Sequence, residues 1–573
     1  MKEKMITIKE FSSFEQLGEE RWRALHEQCP SATVFQSWEW LTAWWKTFNP
    51  GELWLVTAWR SDRLVGVMAG YIDNENTLKF VGEGHSDFGQ ILYENDHVEI
   101  LAALVEYIFQ AADKWRHAQF ACVLNGTALA SLLEKKGAWV SAAMPCPRVL
   151  FDAKPAQSLL AKSSLKRHAK KLSALGSVRV EHFTSSETIL PFMDEFFTQH
   201  QERWAITRTP SLFTDAKNKQ FYRTLAELAR QEGAVIFTRI SLNEKSVAMH
   251  FGFKSQKQLI WYKPTYDPRL AATGPGEVLI AELLKKCVAD ELIGLDFTRG
   301  DESFKLRFSS EIREVRTFEI ASKFWLKKIE ASKNRLRTML VSAIDKLHLH
   351  KGIAVMLHNL KATVRVVRSS GVSAAWKAAK ERLAKHGPKH VDVFIRTACD
   401  QETTDNRMTV QALSTLDSLL ATFDLGNPEH LEVLSDATIY LTAGARLWIA
   451  KCAQNIVSCG WELRGTGVDV TEINARLHFP RSVVCLMEFR TFSQHQKKGY
   501  YATLLRNISA SEGVDHHLIY ALSNNIASVK AIKKAGFTYA GRVTRSYLGA
   551  LRFTQIGSEP SLSATSLAGN HKQ

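Results

Sequence analysis

The chain has 573 residues, 45% hydrophobic and 23% charged, with a net charge of +15. That length suits about three domains rather than one. The composition excludes a disordered chain, a fibre and a small disulfide scaffold, and no run of ~20 apolar residues offers a membrane span. The charge is concentrated in one place. Residues 321–390 hold 16 Lys/Arg against 3 Asp/Glu, nearly the whole excess, so a general nucleic-acid surface is not indicated and no DNA partner is expected.

The start, MKEKMITIKEF, runs straight into a strand pattern, so no secretory signal is expected and a cytoplasmic location is. Two helical patterns follow from Phe14 and Phe35, then three strands (ELWLVTAW, LVGVMAGYI, TLKFVG). A helix (HVEILAALVEYIFQAADKW), a strand near Gln119–Leu124, a short helix and a final strand pair reach Phe151. Residues 152–320 repeat this order: a basic helix (LAKSSLKRHAKKLSAL), a strand, two helices, and a meander of AVIFTRISL, SVAMHFGF and QLIWYKPTY. The loop AATGPG, the helix EVLIAELLKKCVA, the strand LIGLDFT and the polar loop RGDESFKLRF complete it.

Residues 391–556 show the order a third time. VDVFIRTA leads, helices are expected near Val410–Phe423, and RLWIAKC, NIVSCGWELRG and RSVVCLMEFRTF form the meander. SQHQKKG then feeds the helix YYATLLRNI, before HLIYAL and the helix NIASVKAIKKAGF. The mixed order predicts an α/β fold with mixed sheets in three related units: 1–151, 152–320 and 391–556. Residues 321–390 read as basic amphipathic helices, either a solvated linker or a peripheral contact with an anionic membrane face. The tail, 557–573, is expected to be disordered.

In the third unit a polar loop follows a strand and opens a helix at Gly499. A helix start offers unpaired amides and the positive end of the dipole, and with Lys497 and Lys498 it makes a seat for a pyrophosphate, or else a solvated basic turn. Gln496, Lys497, Lys498, Gly499 and Tyr500 resemble the Q/R-x-x-G-x-G/A motif of the GNAT acyltransferase superfamily; Tyr501 stands where Gly or Ala is usual. Asn525, Ser528, Gly536 and Phe537 resemble its other cofactor-side motif, and Ile532 occupies the position of the family's frequent catalytic Tyr. The resemblance implies acetyl-CoA or another acyl-CoA as co-substrate.

The second unit repeats the geometry at TGPGEVLIAELL, where Glu277 favours the helix and disfavours a nearby phosphate. Twenty residues on, Asp296, Arg299, Asp301, Glu302, Lys305 and Arg307 form a charged cluster at a strand end. Together with FQSWEWLTAWWKTF, these motifs make residues 1–320 similar to the BioF2-like/CelD-type acetyltransferases, two GNAT-type units in one chain, related in fold to the FemAB peptidyltransferases. Carried over, Pro275, Gly276 and Leu279 match the cofactor-side loop, and Asp296, Gly300, Glu302 and Lys305 the polar loop; Phe304 replaces a common Tyr. The first unit is degenerate: its corresponding loop, GEGHSDFGQILYENDHVEI, is acidic and repels phosphate, which leaves a substrate-side or structural role. Trp38, Trp40, Trp44 and Trp45 suit either helix core or stacking on sugar rings.

Direct attack of an amine or hydroxyl on a thioester needs a base, an oxyanion donor and a proton for the thiolate. Glu488 is the candidate base in the third unit, unless it pairs on the surface with Arg490; Asp296 and Glu302 are the candidates in the second. Lys305 and Arg307 are candidate holders of an anionic substrate group. The eight cysteines are scattered, without C-x-x-C or a His cluster, so no metal is expected. The leading expectation is an acyltransferase acting on a small-molecule or lipid-linked glycan acceptor in envelope polysaccharide synthesis. A FemAB-type transferase using aminoacyl-tRNA and a non-catalytic scaffold are the alternatives.

Overall fold

The computed structural model describes residues 6–94, 97–207, 210–229, 234–322, 389–397, 408–509, 514–545, 550–557 and 560–567. Near residue 343 the chain divides into two compact units. The expected basic helices of the linker, and any membrane contact made through them, fall within 323–388 and so lie outside the described residues. No helix among the described residues is long and apolar enough to cross a membrane.

The first unit is built on one 13-stranded mixed sheet. Its first half supplies β1 (Ile6–Phe11), β2 (Gly51–Arg60), β3 (Arg63–Asp73), β4 (Thr77–Phe80), β5 (Leu92–Tyr93), β6 (His117–Leu124) and β7 (Trp139–Leu150). The second supplies β8 (Val178–Phe183), β9 (Val235–Leu242), β10 (Lys245–Ser255), β11 (Gln258–Tyr266), β12 (Gly294–Asp296) and β13 (Glu311–Ala321). The order is β1-β2-β3-β4-β6-β13-β7-β12-β11-β10-β9-β8, with β5 on β3. β2, β3, β9 and β10 are buried along almost their whole length, which explains their unbroken apolar sequence.

Each half is an antiparallel meander ending in one parallel pair, β4–β6 and β11–β12. The halves then exchange their last strands. β13 pairs with β6 of the first half, β7 pairs with β12 of the second, and β7 and β13 pair with each other. The boundary at residue 151 therefore separates two repeats of one sheet, not two separately closed sheets. Glu319 fastens the exchanged β13: its carboxylate accepts from Gln119 Nε2 at 3.2 Å and lies 3.4 Å from His117 Nε2 on β6. The helix Trp38–Phe48, capped by the Ser37 side chain and closed by Asn49 in the left-handed region, buries Trp40 and Trp44. Trp40 packs its ring on Phe221, Phe253 and Tyr262 of the other half, so these two tryptophans are core.

The second unit has an eight-stranded sheet, ordered β15-β16-β17-β20-β21-β14-β22-β23. The eight are β14 (Lys389–Thr397), β15 (Thr409–Leu413), β16 (Arg446–Cys452), β17 (Asn455–Arg464), β20 (Val483–Thr491), β21 (His516–Leu522), β22 (Thr538–Arg545) and β23 (Leu551–Gln555), and β18 (Gly467–Val470), β19 (Ala475–His478) and β24 (Ser563–Ser566) form a separate three-stranded sheet. Again the meander ends in a parallel pair, β20–β21. Here the N-terminal β14 fills the place between β21 and β22 that each half of the first unit fills with its neighbour's strand.

Two expectations are corrected. Residues 409–413 are a strand, not a helix, because T-V-Q-A-L alternates in exposure and pairs along β16. The tail is ordered over 560–567: β24 pairs with β19, and Leu562 is buried at its start.

Candidate active site

β11 and β12 run parallel only as far as Ile260 and Asp296, then part. On its other edge β11 is bulged. Phe251 pairs with Lys263 and Phe253 with Ile260, so β11 holds an extra residue at Trp261–Tyr262. Gly252 makes room for this bend: a Cβ there would lie 2.0 Å from His250 Cε1 and 2.6 Å from the Ile260 carbonyl. His250 Nε2 accepts the Tyr262 N–H at 3.2 Å, giving a partner to an amide displaced from the ladder. Burial pushes the His250 pKa down to about 3, so the ring stays neutral and able to accept.

The split opens a cleft of about 620 Å³. One wall is β11 from Trp261 to Tyr266, another the start of the helix Pro275–Ala289, and a third the polar loop from Thr298 to Lys305. His200, Arg203 and Trp204 close one end, with the Arg203 guanidinium over the Tyr266 ring at 4.6 Å. Asp87 reaches the lining from the first half. It is buried and holds Arg299 Nε at 2.6 Å. Lys263 projects from β11 immediately past the bulge. Burial pushes its pKa down to about 8, against the pull of Asp87 and with the repulsion of Arg299 and Lys305.

The helix Pro275–Ala289 begins at Gly274, whose left-handed backbone (φ 69°) turns the chain into it. Pro275 sits at the first helical position, where its missing N–H costs nothing. The Glu277 and Val278 amides turn back to the Gly274 carbonyl, while the Gly276 N–H donates to no acceptor among the described residues. Glu277 does not leave an open negative charge at this helix start: Arg307 pairs with it, and His168 Nδ1 lies 3.2 Å away. Lys154 and Lys162 gather at the same edge, both donating to the Arg307 carbonyl. Lys154, and Lys162 at the cap of the basic helix Ser163–Ser173, thus lend cations to the rim of this helix start, which fits the diphosphate of a coenzyme.

The cleft brings together Pro275, Gly276, Leu279, Glu302 and Lys305 among the expected residues. Lys305 is buried; its Nζ donates to the Arg299 carbonyl at 2.7 Å and pairs with Glu302 at 2.9 Å. Gly300 (φ 135°) holds a backbone conformation that side-chain-bearing residues rarely adopt, beside the Glu302 carboxylate and the Lys305 ammonium. Phe304 packs on Trp261, so no ring hydroxyl stands there. Two residues have other work. Asp296 is not among the cleft's lining residues; it accepts the Thr298 N–H at 2.9 Å and pairs with Arg313 of β13 at 2.5 Å, bracing the loop. Arg307 is exposed at the rim on Glu277. Sequence reasoning missed Lys263, Arg203 and Asp87. The signal for Lys263 was a lone charge inside the apolar run QLIWYKPTY.

The first half repeats the split but closes it. β4 and β6 part after Lys79 and Gln119, yet the chain rejoins at Gly89, which bridges to Val123. Gln36 donates to the Phe88 carbonyl at 2.7 Å, and only about 20 Å³ remains among Trp22, Phe35 and Phe88. The acidic loop that fills this split supplies the other half: Tyr262 donates its hydroxyl to the His85 carbonyl at 2.5 Å, and Asp87 enters the open cleft.

The third copy parts after Leu486 and Ile519 and is bulged at Glu488 (φ 51°). Glu488 is exposed at its edge, and partial withdrawal from water, then Glu472 and Asp436, hold its carboxyl above the usual range. Arg490 pairs with Glu432, not with Glu488. Gln496, Lys497, Lys498 and Gly499 are exposed, and Gly499 (φ 86°) caps the helix Tyr500–Ile508 with open space around it. Tyr501 lies against Phe489 at 5.5 Å, beside Ser528. Asn525 is spent on capping its own helix through the Ser528 N–H, and Ile532 is core. A cavity of about 320 Å³ in this unit is lined by Asp424, Glu429, His430, Phe492 and His495 and by none of the expected residues.

Residues 161–306 match a family model described as an acetyltransferase (GNAT) domain. This segment, which supplies every lining residue of the open cleft but Asp87, is a GNAT-type acyltransferase domain. Among solved structures the chain is similar to FemX (10% identity, TM-score 0.42, covering 55% of this chain and 97% of that one). It is also similar to L-PGS from Bacillus licheniformis (12%, 0.37, 56% and 96%) and to a tandem GNAT protein from the clavulanic acid biosynthesis pathway (14%, 0.35, 56% and 99%). No curated protein matches the sequence.

Proposed function

We propose that the cleft of residues 161–306 transfers an acyl group from acyl-CoA to the amine of an amino sugar or related glycan acceptor. The observation that carries this reading is the split of β11 from β12 beside the basic-rimmed helix start at Gly276. A bound acyl-CoA supplies the thioester. The chain's own part is to seat the diphosphate at Gly276, hold the carrier arm along the bulged strand, and admit the acceptor from the Asp87–Arg299 side. The lining sets polar groups (Arg203, Lys263, Thr298) among aromatic ones, which supports an acceptor that carries several hydroxyls.

Incubation of the full chain with acetyl-CoA and a panel of amino sugars, with thiol release and acetylated product both followed, tests the reading. Product from at least one amino sugar is expected. Binding of charged tRNA without coenzyme A binding would overturn it.

A further inference from the structure

We propose that Lys263 is the general base that takes the proton from the acceptor amine in the cleft of residues 161–306. The inference rests on the acyl-transfer reading and adds the group that makes the nucleophile reactive.

Three observations carry it. Lys263 stands on β11 directly past the bulge, where β11 and β12 have parted, so it faces the space a reacting thioester would occupy. The carboxylates lining the cleft are already engaged: Asp87 with Arg299, Glu277 with Arg307, and Glu302 with Lys305. Lys263 has no such partner among the described residues; its Nζ lies 4.2 Å from the centre of the Tyr262 ring.

The groups acting on Lys263 come from every wall. Asp87 reaches it from the first half and Arg299 and Lys305 from the polar loop, while His200, which feels the Lys263 charge, and Arg203 line the same cleft from the helix Met193–Ala205. Asp87 favours the ammonium, but its charge is taken up by Arg299. The remaining cations and the loss of water favour the free amine, so the titration falls close to neutral pH. His200, held by Ser211 at 2.8 Å, stays neutral for the same reasons.

The acceptor ammonium gives one proton to the Lys263 amine. The freed nitrogen pair forms the new C–N bond, the C–S bond breaks, and the sulfur leaves with its electron pair. The second nitrogen proton goes to that thiolate, and Lys263 returns the first to solvent.

Two measurements on the full chain test this. In trace labelling with acetic anhydride, analysed by peptide mass spectrometry, Lys263 should reach half-reactivity near pH 8, where ordinary lysines need about 10. A midpoint like that of surface lysines would overturn the proposal, whatever the acceptor. In acetyl transfer to glucosamine, the acid limb of kcat/KM should centre at the same pH. Lys263→Arg, which keeps the charge but cannot deprotonate, should lose roughly 10²–10⁴-fold in kcat with coenzyme A affinity unchanged. An active Lys263→Arg with its pH limb intact would overturn the base assignment alone; absence of coenzyme A binding to the wild-type chain would overturn the acyl-CoA reading itself.

Discussion

Asp87, carried by the first half of the sheet, holds the guanidinium of Arg299 from the second half, with Nε 2.6 Å from Oδ1. The pair ties the two repeats together at the lining of the open cleft. Asp87→Asn leaves a largely desolvated guanidinium with a weaker partner and should cost about 2 kcal/mol in urea unfolding. A double-mutant cycle with Arg299→Met should return coupling of about 1 kcal/mol or more. Independent effects would mean the pair does not join the halves.

Gly252→Ala should be among the costliest single-methyl additions in the chain. The new Cβ would collide with the His250 ring and the Ile260 carbonyl, and with them the hydrogen bond to Tyr262 N–H. Overpacking of this kind costs about 1–3 kcal/mol. Coenzyme A binding should weaken together with thermal stability, because the bulge shapes the cleft wall.

The exchanged strand gives a pH signature. The hydrogen bond with His117 holds the Glu319 carboxyl down to about 2, against an unfolded value of about 4.3. A carboxyl depressed on folding contributes stability that is complete above its unfolded pKa and is lost as pH falls through the folded one. The wild-type chain should therefore lose about 1–2 kcal/mol between pH 4.3 and 2 that Glu319→Gln does not lose. Urea titrations at a series of acidic pH values check this, and parallel curves would contradict it.

Much of this fold was legible in the sequence because each repeat announces itself locally, through a meander of continuous apolar strands, a Gly-rich turn and a helix. What pairs with what across a sheet is not local. β13 (EIREVRTFEIA) alternates charge with apolar residues and falls outside the expected strands, yet it lies between β6 and β7. The same limit hid Asp87, whose acidic loop looks unfit for a phosphate and indeed fills its own split while serving the other half. It also misassigned Asp296, because Arg313, which occupies it, arrives from the exchanged strand. The motif D-F-x-x-G-x-E-x-x-K was visible, but its spacing does not tell Asp296, which braces the loop through Arg313, from Glu302 and Lys305, which face the cleft.

The most direct test of the central claim, that the helix start at Gly276 seats a coenzyme diphosphate, is calorimetric titration of the full chain with coenzyme A, wild type against Gly276→Asp. A Cβ at Gly276 meets only the Tyr266 ring, at 3.6 Å, and a carboxylate in the first turn suits the helix dipole, so the fold should hold. The wild-type chain should bind, and the variant should lose about tenfold or more in affinity, since the added charge faces the diphosphate. Unchanged affinity in a folded Gly276→Asp, with binding abolished instead by Lys498→Glu, would move the site to the second unit and contradict that claim.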